Sequence, residues 1–179
     1  MTQTGHVYGE ALYGLAQESG MEQEIGAELS VLDRCLHEES DFIRLLSTPN
    51  LSKQERCRIV DVCFRGKLQP YTLNFLKLLT EHGYMHSFSD CCAAYRALYN
   101  RDHGILPVCA VTAVPLTQAQ SQRLSEKLAS ITGKTIELSN RVDPACMGGV
   151  RLNYDGKQLD DTVMHRLDAI GSLLRSTVL

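Results

Sequence analysis

What this 179-residue sequence lacks removes several classes of function. None of its seven cysteines forms a C-x-x-C pair, since Cys57 and Cys63 stand six apart and Cys91 and Cys92 are adjacent, so no zinc-ligand spacing is present. No apolar run reaches the roughly 18 residues of a membrane-crossing helix, and no signal peptide opens the chain. The expected setting is therefore a reducing compartment with buried, reduced thiols, where the sequon-like Asn50-Leu51-Ser52 carries no meaning. Neither G-x-x-x-x-G-K-[ST] nor G-x-G-x-x-G occurs, which removes both standard backbone cradles for a nucleotide, and no cofactor is expected. Cationic charge is also short. The chain has 18 Lys and Arg against 21 Asp and Glu, a net charge of −3, so it has no field to collect phosphates, and no nucleic-acid partner is expected.

An apolar fraction of 44% is that of a globular protein with a packed core. The charge is uneven. Residues 1–40 hold Glu10, Glu18, Glu22, Glu24, Glu28, Asp33, Glu38 and Glu39 against Arg34 alone, an acidic face that most simply meets water. Up to about residue 103 the apolar residues recur at three and four, the period of helices. Tyr8, Leu12 and Leu15 stripe a first helix, on which the small Gly9 and Ala11 let a neighbour approach. Ile25, Leu29, Leu32 and Leu36 stripe a second, and Phe42, Leu45 and Leu46 a short third that breaks at Thr48-Pro49-Asn50. Ser52-Lys53-Gln54-Glu55 is a capping box that starts a fourth helix through Ile59, Val60, Cys63 and Phe64. Pro70 opens a fifth over 73–81, apolar nearly all round and so expected at the bundle centre, with Gly83 to stop it. A sixth spans about 87–100.

After Gly104 the period changes. Residues 107–114 read as a central strand with apolar residues on both faces. Thr117 and Gln120 make a second capping box, and Leu124, Leu128 and Ile131 form the buried stripe of the helix that follows. Residues 135–142 alternate, with Ile136 and Leu138 inward and Glu137 and Ser139 outward. Asp155-Gly156 then signals a two-residue hairpin, which pairs Tyr154 with Lys157 and Leu152 with Leu159 and puts Val150, Leu152 and Leu159 on one face. A last helix is expected from Asp161, striped by Val163, Leu167, Ile170 and Leu174. The class is α+β: a six-helix N-terminal bundle over 1–104 and a small α/β domain of order β-α-β-β-β-α over 105–179.

Chemistry is scarce. Residues 141–161, RVDPACMGGVRLNYDGKQLDD, place Cys146 beside Gly148 and Gly149, which suggests a small enzyme of phosphate or thiol chemistry. A nucleophilic Cys146 needs a base, and the nearest histidine in sequence is His165. The plainer reading makes the segment punctuation: Gly148 and Gly149 launch a strand, Asp143 and Asp155 serve turns, and Asp160 or Asp161 caps the last helix. His82 and His86 have the spacing of two metal ligands on one helix face, but Gly83 falls between them, so no metal is expected. A nucleic-acid module in the second half needs stacking rings and cations, and Tyr154 is nearly alone there. No catalytic constellation emerges, and two differently built halves favour an adaptor.

Several segments occur in one order: Tyr8-Gly9-Glu10-Ala11-Leu12-Tyr13-Gly14-Leu15-Ala16, Leu46-x-x-Pro49, Asn74-Phe75-Leu76-x-Leu78-Leu79, Val111-Thr112-Ala113-x-Pro115-Leu116, and Val142-Asp143-Pro144-x5-Gly149-Val150 running on to Leu159-Asp160. In these, end to end, the chain resembles the delta subunit family of the F-type ATP synthase, called the oligomycin-sensitivity-conferring subunit in mitochondria. The resemblance implies a non-catalytic stator subunit of a proton- or sodium-translocating synthase, peripheral on the cytoplasmic face of a bacterial plasma membrane. It implies that the helical domain receives the N-terminal helix of an alpha subunit through its first and fifth helices, and that the C-terminal domain holds the end of the b-subunit peripheral stalk. Carried over by position, the alpha contact involves Tyr8, Ala11, Leu12, Leu15, Asn74, Phe75, Leu78 and Leu79. Departures are Val7, where the family commonly has an arginine, Tyr84 in place of a basic residue, and Asp160-Asp161-Thr162-Val163-Met164-His165-Arg166-Leu167 in place of Asp-Gly-Ser-x-Arg-Gly-Arg-Leu.

Overall fold

The computed structural model describes residues 2–47 and 51–162. The chain forms two compact units, Met1–Tyr99 and Asn100–Leu179. The first is built from α1 (Gln3–Ser19), α2 (Glu22–Glu38), α3 (Ser40–Ser47), α4 (Lys53–Phe64), α5 (Pro70–His82), a 3-10 turn at Met85–Ser87, and α6 (Phe88–Asp102). Helix starts follow the polar signals. Ser52 Oγ accepts from the Glu55 N–H at 3.2 Å while Glu55 Oε2 accepts from the Ser52 N–H at 2.9 Å, which is the capping box read from sequence. The start of α5 is capped from another helix, because the Gln69 N–H donates to Glu28 Oε1 of α2 at 2.9 Å. Part of the acidic face thus has structural work: Asp33 of α2 likewise accepts from Ser89 of α6.

The core of this unit gathers Leu12, Tyr13 and Ala16 of α1, Ile25, Leu29, Leu32 and Leu36 of α2, Phe75, Leu76 and Leu79 of α5, and Phe88, Cys91, Cys92 and Tyr95 of α6. The stripe of α2 is the one the spacing predicts. That of α1 is rotated: Gly5, Gly9, Leu12, Tyr13 and Ala16 point inward, while Leu15 is 49% exposed. Gly9 explains the rotation, because a Cβ there would lie 2.6 Å from the Cys91 carbonyl oxygen and 2.8 Å from the Ala94 Cβ of α6. Only hydrogen at that position lets the two helices come so close. Ala11, by contrast, faces outward.

The second unit is built from β1 (Ile105–Thr112), α7 (Gln118–Thr132), β2 (Thr135–Val142), a 3-10 turn at Pro144–Cys146, β3 (Val150–Tyr154) and β4 (Lys157–Asp160). The sheet order is β2-β1-β3-β4; β1 runs parallel to β2 through the α7 crossover and antiparallel to β3. The central strand begins two residues before the predicted 107–114, and Pro107, with no N–H to give, lies just outside the β1–β3 ladder that starts at Val108↔Tyr154. The hairpin has its predicted register, with Tyr154↔Lys157 and Leu152↔Leu159, and positive φ at Asp155 (51°) and Gly156 (72°). Leu106, Val108, Ala110 and Leu152 form the core, with Leu124 and Leu128 of α7 partly buried against it. Two stripe residues behave otherwise than expected: Ile131, in the last turn of α7, is 72% exposed, and Leu159, on the edge strand β4, is 57% exposed. The expected last helix lies outside the described residues.

Candidate functional site

The segment around Cys146 is closed by its own contacts. Cys146 is fully buried, and Arg151 Nη2 donates to its Sγ at 3.6 Å. Arg151 Nε also donates to Asp160 Oδ2 at 3.0 Å, while Asp160 Oδ1 accepts from the Thr162 N–H at 3.0 Å and from the Thr162 hydroxyl at 2.7 Å. The Thr162 hydrogen bonds, and then the Arg151 guanidinium, hold the Asp160 carboxyl below the usual carboxylate range. Gly149 has φ 78°, and a Cβ there would run into the Asp161 carbonyl oxygen, so the glycine serves a close backbone crossing. Gly148 donates its N–H to the Cys146 carbonyl at 2.7 Å, and Asp143 accepts from the Ala145 N–H at 3.1 Å. These are turn contacts. His165 lies outside the described residues, and a thiol with no exposed surface offers nothing for a substrate to reach.

The two buried thiols of α6 are no better placed for nucleophilic work. Burial pushes the Cys91 thiol up to about 11 and raises Cys92 further, so neither is a thiolate at neutral pH. His82 and His86 are parted by the ring of Tyr84, which stacks on His82 with centroids 6.1 Å apart and meets His86 edge-on at 6.3 Å. No group of three or more metal-ligating side chains exists among the described residues. A shallow depression of about 410 Å³ on the sheet is lined by Pro107, Cys109, Ser139, Asn153 and Gln158, with Asp155 and Lys157 of the hairpin turn at its edge as its charged groups.

The feature with a surface to offer is the seam of α1 and α5. The sequence places α5 at the centre of the bundle, but only one side of it is buried: Thr72, Phe75, Leu76, Leu79 and Thr80 point inward, whereas Tyr71 and Leu78 are each 41% exposed. The carried-over residues divide accordingly. Leu12, Phe75 and Leu79 are core, at 3%, 6% and 0% exposure; Ala11, Leu15, Asn74 and Leu78 are exposed, and Tyr8 is half-buried. The reason is geometric, since a stripe wider than one helix-packing face leaves residues on its flank. On α1, Tyr8, Ala11 and Leu15 follow at i, i+3 and i+7; on α5, Tyr71, Asn74 and Leu78 do the same. Tyr84, just past α5, packs against Tyr8 of α1 with centroids 5.9 Å apart and ties the two helices at one end. Reading the sequence alone passes over Tyr71 and treats Tyr84 and Val7 only as departures; their exposure is a property of the packed helices. Lys77, the one Lys or Arg on α5, is turned toward α4, where its Nζ lies 2.6 Å from Asp61. The Lys77 hydrogen bond, with Arg65 beside it, holds the Asp61 carboxyl below its usual range.

Residues 5–174 match the family model described as ATP synthase delta (OSCP) subunit. The ATP synthase subunit delta of Moorella thermoacetica is 33% identical over 168 residues, covering 94% of each chain. That of Clostridioides difficile is 29% identical over 172 residues, 96% of this chain and 95% of the relative. Among solved structures, a chain of the Toxoplasma gondii mitochondrial ATP synthase hexamer, determined by cryo-electron microscopy, aligns with a TM-score of 0.76 at 24% identity over 97% of this chain and 98% of its own. That likeness is one of fold.

Proposed function

The chain belongs to the ATP synthase delta (OSCP) subunit family, and from that membership we propose that it links the top of the catalytic head to the peripheral stalk, so that the head resists the torque of the rotor. Members of this family are structural, non-catalytic subunits, peripheral in a membrane-bound complex, and no helix among the described residues is long and apolar enough to cross a membrane. In this reading the N-terminal unit receives the N-terminal helix of an alpha subunit, the C-terminal unit holds the C-terminus of a b subunit, and the complex is a proton- or sodium-translocating synthase with this subunit on the cytoplasmic face of a bacterial plasma membrane.

The observation that carries the reading is the exposed apolar flank of α1 and α5, with Leu15 at 49% and Leu78 at 41% exposure beside a fully packed core. Helix-in-groove docking uses apolar anchors at three- and four-residue spacing, the spacing these residues have. Affinity is the relevant quantity for a stator. Interfaces of about 1,200–2,000 Å² reach nanomolar binding when a few anchors are well buried, and two contacts within one assembly reinforce each other through effective concentration. Titration of the full chain with an alpha N-terminal segment and with a b C-terminal segment tests the proposal. Micromolar or tighter binding of each is expected, with Leu15→Ala plus Leu78→Ala weakening only the alpha contact, by roughly tenfold or more. Binding of neither segment would sink it.

A further inference from the structure

We infer that the helix docking on the α1–α5 seam carries lysine or arginine beside its apolar ridge, so that the contact is electrostatically steered. The inference rests on the docking reading above and adds the chemistry of the occupant. Helix α1 contains no lysine or arginine, and the single one on α5, Lys77, is committed to Asp61 of α4 with its side chain only 29% exposed. Carboxylates stand at the end of each apolar row. Glu18 continues the line Ala11, Leu15 at i+7, and Glu81 continues the line Asn74, Leu78 at i+7. Both are exposed, and neither has an ion-pair partner among the described residues. Glu10, the other acid of α1, is 3.6 Å from His6 on its own helix.

The seam is therefore mainly apolar, interrupted by Asn74, and negative at its rim. A second copy of this chain would bring a seam with the same negative rim, and an anionic lipid surface would be repelled by Glu18 and Glu81, so neither suits the seam. A helix with cations flanking its apolar ridge does, because like-charge juxtaposition is removed and opposite charges speed encounter. Rim charges of this kind act on the association rate more than on the dissociation rate.

The test is stopped-flow binding of the full chain to the labelled N-terminal segment of the alpha subunit from the same genome, at 50 and 500 mM salt. The association rate is expected to fall by roughly tenfold with salt, with the dissociation rate changing by less than about twofold. Glu18→Lys combined with Glu81→Lys slows association by roughly threefold to tenfold at low salt, whereas Glu24→Lys on α2 leaves it unchanged. Binding whose rates ignore both salt and the double reversal overturns the cationic flank and leaves helix docking standing. No binding at either salt overturns both. A dimer of the chain at low salt, lost in Leu15→Ala with Leu78→Ala, makes a second copy the occupant and also overturns the inference.

Discussion

The two units handle the same problem, hiding apolar surface, with different success. In the N-terminal unit α2 buries a clean stripe at Ile25, Leu29, Leu32 and Leu36, and exposed apolar side chains that line up at helical spacing occur along one seam. In the C-terminal unit α7 buries no residue fully, and Ile131, Val114, Met147 and Leu159 stand 72%, 69%, 66% and 57% exposed on different elements. One unit has a finished core, although Val62 of α4, Val31 of α2 and Leu45 of α3 also stand 85%, 55% and 44% exposed. The other gathers Leu106, Val108, Ala110 and Leu152 into a smaller cluster among the described residues, with Val111 buried on the opposite face of β1. Helices pack side by side and cover one another, whereas a sheet presents two faces to be covered.

The largest expected effect sets these cores against each other. Leu79→Ala removes a fully buried side chain between helices and should cost about 2–5 kcal/mol, while Leu128→Ala in α7, only partly buried, should cost about 1 kcal/mol. Urea unfolding followed by amide exchange in each unit measures both; equal costs would erase the contrast. The glycines come next. Gly149→Ala meets both positive φ and the Asp161 backbone and should cost about 2–4 kcal/mol, whereas Gly156→Ala has the positive φ in open space and should cost about 1–2 kcal/mol. If the two cost the same, the close crossing at Gly149 contributes nothing.

Signals that act within a few residues were legible in the sequence. Both capping boxes, the hairpin register and the α2 stripe depend on neighbours along the chain, and the structure has each. The misplacements depend on packing between elements. Spacing puts Leu15 in the α1 stripe because it cannot tell a helix's buried centre from its flank; Gly9 against Cys91 sets that rotation. Ile131 and Leu159 have the right period for burial, but sit at a helix end and on an edge strand, where no partner element lies over them among the described residues. The candidate seam was half legible: the ordered segments named its helices, and only the fold separated Leu12, Phe75 and Leu79 from Leu15 and Leu78.

Both units hold carboxylates below their usual range through partners, among them Asp61 against Lys77 and Asp160 against Thr162 and Arg151. A depressed folded pKa contributes stability that is present above the unfolded value, near 3.8, and lost as the pH falls through the folded one. Asp160→Asn should therefore destabilise the C-terminal unit at pH 7, with the gap to the parent chain closing below about pH 3.8. Asp61→Asn should do the same in the N-terminal unit alone. Thermal melts of both variants at pH 7 and pH 3 read this out, and a gap unchanged at pH 3 would mean the carboxylates act by shape rather than charge.

The smallest effect probes whether the finished core is finished throughout. Thr72 of α5 is fully buried, and its hydroxyl has no hydrogen-bond partner among the described residues, although Thr80 on the same helix donates to the Leu76 carbonyl at 2.7 Å. A buried hydroxyl without a partner keeps its desolvation cost, so replacing it with a methyl of similar size removes a penalty rather than an interaction. Thr72→Val should be neutral or stabilise the N-terminal unit by up to about 1 kcal/mol, while Thr80→Val, which breaks a made bond, should cost about 0.5–1.5 kcal/mol. Chemical unfolding of the pair decides it. Destabilisation by both to the same degree would mean that Thr72 has a polar partner as firm as that of Thr80, and the contrast between the two units would then rest on apolar packing alone.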